Sequence, residues 1–261
     1  AEGGVGLVIT EGTCIGHKGA SGYPGVPYFH GEERLAGWKK VVDAVHEAGG
    51  KIAPQLWHVG AVRKTGALPE GDVPGYGPSG MNVPGKVNRE VMTQQDIDDV
   101  VAAFAQAAAD AKAIGCDAVE LHGAHGYLID QFFWEGTNQR KDEYGGFLEN
   151  RLRFAREVVE AVRAAVGPDF PITFRFSQWK QQDFTARLVE TPEQLEKLGN
   201  DLFDYFGLGC RNVTKIYVPE SYDFIPLLGA FKKYNYLAEH HKYKNNYEIM
   251  ISDRLLPKRH L

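Results

Sequence analysis

DAVELHGAHGY, residues 117–127, decides the reading of this chain. DAVEL follows Gly115 and is a short apolar run of the length and character of a buried strand. Directly after it stand His122, His125 and Tyr127, separated only by glycine and alanine. Upstream, Thr93-Gln-Gln-Asp96 has capping-box character and opens an Ala-rich helix to about Ile114. Downstream come a long loop, a helix over about 147–166 and the strand ITFRFSQ at 172–178. Further out, GLVIT (6–10) and KIAPQLWHV (51–59) read as strands. Between them Leu35, Trp38, Val41, Val42 and Val45 mark a helix over about 32–48, stopped by Gly49-Gly50. TPEQ (191–194) starts another, with proline at its first position. Strand and helix alternate, and the chemistry-bearing residues follow the strands. That pattern predicts a parallel α/β fold. A (β/α)8 barrel fits better than a doubly wound sheet, because no Gly-rich turn follows the first strand and the next helix begins about twenty residues later.

The 261 residues are 43% apolar and 24% charged, enough apolar material for a full core. A net charge of -5 with both signs interspersed argues against a nucleic-acid binder, which would present a basic face. No apolar run reaches the ~18 residues of a membrane span, and AEGGVGLVIT lacks the charged start of a secretory leader. Cys14, Cys116 and Cys210 are odd in number and widely spaced, so a reducing, cytoplasmic setting is expected. Residues 60–84, rich in glycine and proline, read as an ordered functional loop. Near Leu198 the composition shifts. The last 63 residues hold eleven Phe or Tyr and two Ala, and net charge turns from -7 before the boundary to +2 after it. The expected organisation is a barrel domain over 1–198 and a divergent or fused region over 199–261.

At a barrel's strand ends, His122 and His125 can converge on one acceptor oxygen, with Tyr127 beside them as a phenol able to give up a proton. Surface histidines or a metal pair are the alternatives. Glu120 and Asp130 flank the motif, but no third ligand stands at zinc spacing. Gln55 and Trp57, on the strand PQLWH, read either as site residues or as ordinary strand-end polar and core residues. Arg175 lies inside an apolar strand, where a charge needs a buried partner, and a ligand is the expected one. Residues 138–151 read as structural, fixing the long loop and the start of the next helix, with Gly145-Gly146 at the turn.

VELHGAHGYLIDQFFWEGTNQRKDEYGGFLENRLRF (119–154) resembles the signature stretch of the Old Yellow Enzyme family, the FMN-dependent NADH:flavin oxidoreductases and ene-reductases. PQLWHVGAVRK (54–64) and FRFSQWKQQDFTAR (174–187) are similar to two further segments of that family, in the same order. The resemblance covers roughly residues 3–198. It implies hydride transfer from NAD(P)H through FMN to the β-carbon of an electron-poor alkene, an enone or nitroalkene. In that scheme His122 and His125 donate to the substrate oxygen, and Tyr127 is the proton donor. Gln55 binds the polar edge of the flavin ring, Arg175 lies near its N1 and O2, Gly12 lies close to the ring where a side chain would collide, and Trp57 lines the substrate channel. No metal is implied. The choice between NADH and NADPH, the preferred alkene and the oligomeric state stay open.

The resemblance also implies departures. The chain opens at what would be the second barrel strand, and the family's last strands, which carry phosphate donors, are not recognisable after about residue 198. FMN is therefore expected to be held mainly by its ring, with activity impaired. LFDYFGLGCRNVTKIYVPESYDFIPLL (202–228) is similar to a segment of the acyl-CoA reductases, in which a cysteine, here Cys210, would form a thioester. Within the same tail VTKIYVP reads as a strand beside ITFRFSQ. The rival readings are an acyl-CoA reductase fragment and a non-catalytic incomplete barrel that needs a partner.

Overall fold

The computed structural model describes residues 1–3, 5–67, 71–187, 191 and 213–217. Its elements run β1 (Leu7–Cys14), α1 (Glu32–Glu47), β2 (Lys51–Trp57), a 3-10 turn (Gly60–Val62), β3 (Tyr76–Gly77), β4 (Glu90–Val91), α2 (Gln94–Ala113), β5 (Val119–His125), α3 (Leu128–Phe133), α4 (Leu148–Arg151), α5 (Arg153–Val166), β6 (Ile172–Lys180) and β7 (Val213–Tyr217). The main sheet has the order β1-β2-β5-β6-β7 and every pairing in it is parallel. Each strand lies beside the next one in the chain, apart from the small β3–β4 pair. Strands added always on the same side, with crossovers of one hand, put the helices on one face and curl the sheet. The result is an arc of barrel wall, five strands of (β/α)8 type.

Of the stripe predicted on α1, Val42 is buried and Leu35, Trp38 and Val45 are partly buried, while Val41 is exposed. α2 turns Ile97, Val100, Phe104, Ala107, Ala108 and Ala111 inward, and α5 turns Phe154, Val158, Val159 and Val162 toward the same core. Thr93 and Asp96 close a reciprocal capping box at the start of α2, satisfying two backbone donors there. The helix expected over 147–166 is two segments, interrupted at Leu152.

The loop after β2 is held by two arginines. Arg63 is fully buried and donates to the carbonyls of Ser21, Ala67 and Val73; Arg89 donates to those of Ala61 and Arg63. Residues 138–151 do the structural work expected of them. Asn138 Nδ2 donates to the carbonyls of Phe132 and Tyr144, and Arg151 to those of Phe133 and Gly146. β7 forms part of VTKIYVP and adds to the wall as the strand beside β6. The helix expected from Thr191, the boundary at Leu198 and Cys210 lie outside the described residues.

Candidate active site

β5 runs further than DAVEL, and this changes how the histidines are placed. The strand continues to His125, so His122 and His125 are strand residues and not loop residues. Side chains three apart on a regular strand point to opposite faces. Here they meet, because the β5–β6 register shifts between Gly123 and His125 and because His125 takes a left-handed backbone, φ 64°. Gly123 is required at the bend: a Cβ there would stand 2.4 Å from the Phe174 ring.

The two imidazole centroids lie 5.3 Å apart at 82°, and the Tyr127 ring lies 5.3 Å from His122. Trp57 joins them, 4.8 Å edge-on from Tyr127 and 6.2 Å from His122, with Tyr23 stacked on it at 5.9 Å. Burial, then His125 and Arg175, hold His122 down at about 3; burial, then Arg175 and Lys180, hold His125 down at about 4. Both imidazoles are therefore neutral near pH 7, each with one N–H. Burial and the contact with Tyr23 push the Tyr127 phenol upward, so it keeps its proton. Among the described residues, His122 Nδ1 and Trp57 Nε1 are buried with no hydrogen-bond partner. Two such atoms in one aromatic enclosure leave room for polar contacts with a ligand.

Beneath them is a polar band. Gln55 Nε2 donates to Glu120 Oε1 at 2.6 Å, and Arg175 donates to Oε1 from Nε at 2.6 Å and to Oε2 from Nη2 at 3.0 Å. Glu120 is 2% exposed. Glu120 is thus a buried partner of Arg175 within the protein itself. On the adjoining strands Glu120 and His122 share one face with Arg175, as period-two alternation requires. The sequence brings Glu120 in only as a flank of a possible metal pair, and its partnership with Gln55 and Arg175 is a finding of the structure. Its signal was there: a carboxylate inside a buried strand needs a cation nearby.

Gly12 pairs with Gln55 across the bulge in β1. A Cβ at Gly12 would come within 2.8 Å of the Trp57 indole, so the group that excludes a side chain in this structure is that indole. The structure thus gathers His122, His125, Tyr127 and Trp57, sets Gln55 and Arg175 on Glu120, and puts Gly12 against Trp57. Asp130, like Glu120, is already engaged. It accepts from Lys180 Nζ and from the Gly126 N–H, both at 2.7 Å. Sequence reading also missed a second histidine pair, His17 and His58, with Nδ1 and Nε2 2.9 Å apart. Gly60 N–H donates to His58 Nδ1, so the His58 proton is on Nε2 and points at His17.

Parallel strands here bring together neutral imidazoles, a protonated phenol and, lower on β6, a guanidinium, the placement expected of a functional site in a barrel-type sheet. The chain belongs to the NADH:flavin oxidoreductase / NADH oxidase family, whose pattern matches residues 1–217. Relatives agree. It is 44% identical over 168 residues to "Putative 12-oxophytodienoate reductase 2" of Oryza sativa subsp. japonica, covering 62% of this chain and 44% of the rice protein. The chain therefore spans less than half the length of that relative. Among solved structures, morphinone reductase in complex with tetrahydroNAD matches with TM-score 0.72 and 32% identity, over 87% of this chain and 64% of that one. Old Yellow Enzyme from Pichia sp. AKU4542 matches with TM-score 0.71 and 29% identity, over 87% and 61%.

Proposed function

We propose that this chain carries an FMN-dependent oxidoreductase site of ene-reductase type, passing hydride from NAD(P)H by way of flavin to an activated alkene. The observation that carries the reading is the pair of neutral imidazoles brought together beside the Tyr127 phenol. FMN, when bound, supplies the two-electron carriage between the two substrates. The residues fit such a group. Gln55 and Arg175 bring an amide and a guanidinium to one point, matching the polar edge of a planar ring. The buried, unpartnered His122 Nδ1 suits a polar ligand above it.

The chain's own residues then have distinct tasks. His122 and His125, uncharged, donate hydrogen bonds to the substrate's carbonyl or nitro oxygen, which gains charge as its β-carbon accepts hydride. Tyr127 keeps its proton until the α-carbon becomes basic, then gives it up. Trp57 and Tyr23 wall the space with apolar surface that excludes water. Arg175, balanced by Glu120, lends positive potential to the ring side of the site.

The division at about residue 198 belongs to the same proposal and is supported by the change of composition and charge. β7 lies beyond it and bonds to β6. The acyl-CoA reductase reading draws on Cys210, outside the described residues. Titrating the purified chain with FMN and following flavin fluorescence tests the cofactor. A saturable change is expected below millimolar FMN; none up to that concentration would overturn the reading and leave the non-catalytic barrel standing.

A further inference from the structure

Lys180 and Asp130 form a pair of opposite charges, each 0% exposed, with Nζ 2.7 Å from Oδ1. Removing two charges from water is expensive, and such a pair is weak evidence for stability by itself. Its location suggests another use. Asp130 Oδ2 accepts the backbone N–H of Gly126, the residue between His125 and Tyr127, at 2.7 Å. Lys180 stands opposite His125 in the β5–β6 register. His125 is the one non-glycine residue with positive φ among the described residues, a backbone region that persists only where the surroundings hold it. The same β6 segment supplies other restraints. Ser177 Oγ accepts the His125 N–H at 2.9 Å, Gln181 N–H donates to the His125 carbonyl at 3.2 Å, and Trp179 stacks on the ring at 4.7 Å.

We propose that Lys180 and Asp130 are positioning residues: their buried pair pins Gly126 and so fixes the left-handed turn that swings His125 beside His122 and Tyr127. The catalytic arm of this proposal rests on the alkene-reductase reading; the structural arm does not. Lys180 faces His125 together with Arg175, His122 and Trp179, so removing its charge alters what the imidazole feels.

The test compares the parent with Lys180→Met, Lys180→Arg and the double variant Asp130→Leu/Lys180→Met, which removes both charges and reads in place of the single one if that fails to fold. In the protein without flavin, side-chain NMR of the histidines should show the His125 titration moving up from about 4 in Lys180→Met, with burial and Arg175 still holding it low, and returning in Lys180→Arg. In the FMN-loaded protein, reoxidation by 2-cyclohexenone should slow about tenfold or more, as misplacement of a donor does. Reoxidation by dioxygen, which uses no donor at a substrate oxygen, should hold. Recovery of the enone rate in Lys180→Arg supports the proposal. An unmoved His125 titration, or equal loss with both oxidants, overturns it. Should the parent itself fail to reduce enones, the functional reading falls, and the NMR arm still decides the positioning role.

Discussion

At the scale of single residues, Glu120 organises the candidate site from below. It binds Gln55 and Arg175 at once, so Glu120→Ala takes a two-point carboxylate contact from a largely buried guanidinium. The expected loss is about 3 kcal/mol or more of folding stability, read from urea unfolding. A loss under ~0.5 kcal/mol would show that Arg175 has other support. Tyr127→Phe removes only the proton donor. Reoxidation of the flavin by an enone should slow while reduction by NAD(P)H stays nearly constant, and rapid-mixing measurement of the two halves separates them. His122, His125 and Tyr127 stand out in the sequence because small residues between polar ones mark a strand end, and Trp57 stands out through the family resemblance alone. The Glu120 and Lys180 partnerships were not legible, because Glu120 meets Arg175 through the β5–β6 register and Lys180 meets Asp130 on α3, each fifty residues or more away in the chain.

At the scale of elements, the sequence pattern carries the wall well and its joints poorly. α2 begins where Thr93 and Asp96 say it must, and Thr93→Ala should cost about 1 kcal/mol, measured by chemical unfolding. An unchanged midpoint would mean that packing alone sets that helix start. The break at Leu152 was invisible because the residue keeps helical dihedrals, φ -80° and ψ -15°, and the apolar periodicity continues across it. The extension of β5 to His125 was hidden for a related reason. Gly123 and Gly126 look like loop residues, yet Gly123 is a strand residue kept bare by the Phe174 ring.

At the scale of the whole molecule, four buried or half-buried histidines make folding sensitive to acid. Burial lowers His17, His58, His122 and His125, in each case as the largest cause. An unfolded histidine titrates near 6.5, so below that pH the unfolded chain binds more protons than the fold does. The histidine contribution is complete above about pH 6.5. It is lost progressively as pH falls toward about 4 and 3, where His125 and His122 take up protons in place. Asp130, whose carboxyl burial raises, acts in the opposite sense and above its ordinary value of 3.8, so it offsets part of the same fall. Thermal unfolding at a series of pH values should show the midpoint falling between pH 6.5 and 4; His58→Gln should flatten that fall. A midpoint constant over this range would contradict the burial of neutral imidazoles. No helix among the described residues is long and apolar enough to cross a membrane.

The central claim is that the β5 strand end is where an alkene is activated. The direct measurement is the rate at which reduced, FMN-loaded protein is reoxidised by 2-cyclohexenone without oxygen, in the parent and in His122→Ala/His125→Ala. Losing donors to an oxygen that gains charge in the transition state should slow this step roughly 10²–10³-fold or more, with flavin reduction by NAD(P)H affected far less. Reoxidation of the double variant at the parent rate would contradict the account.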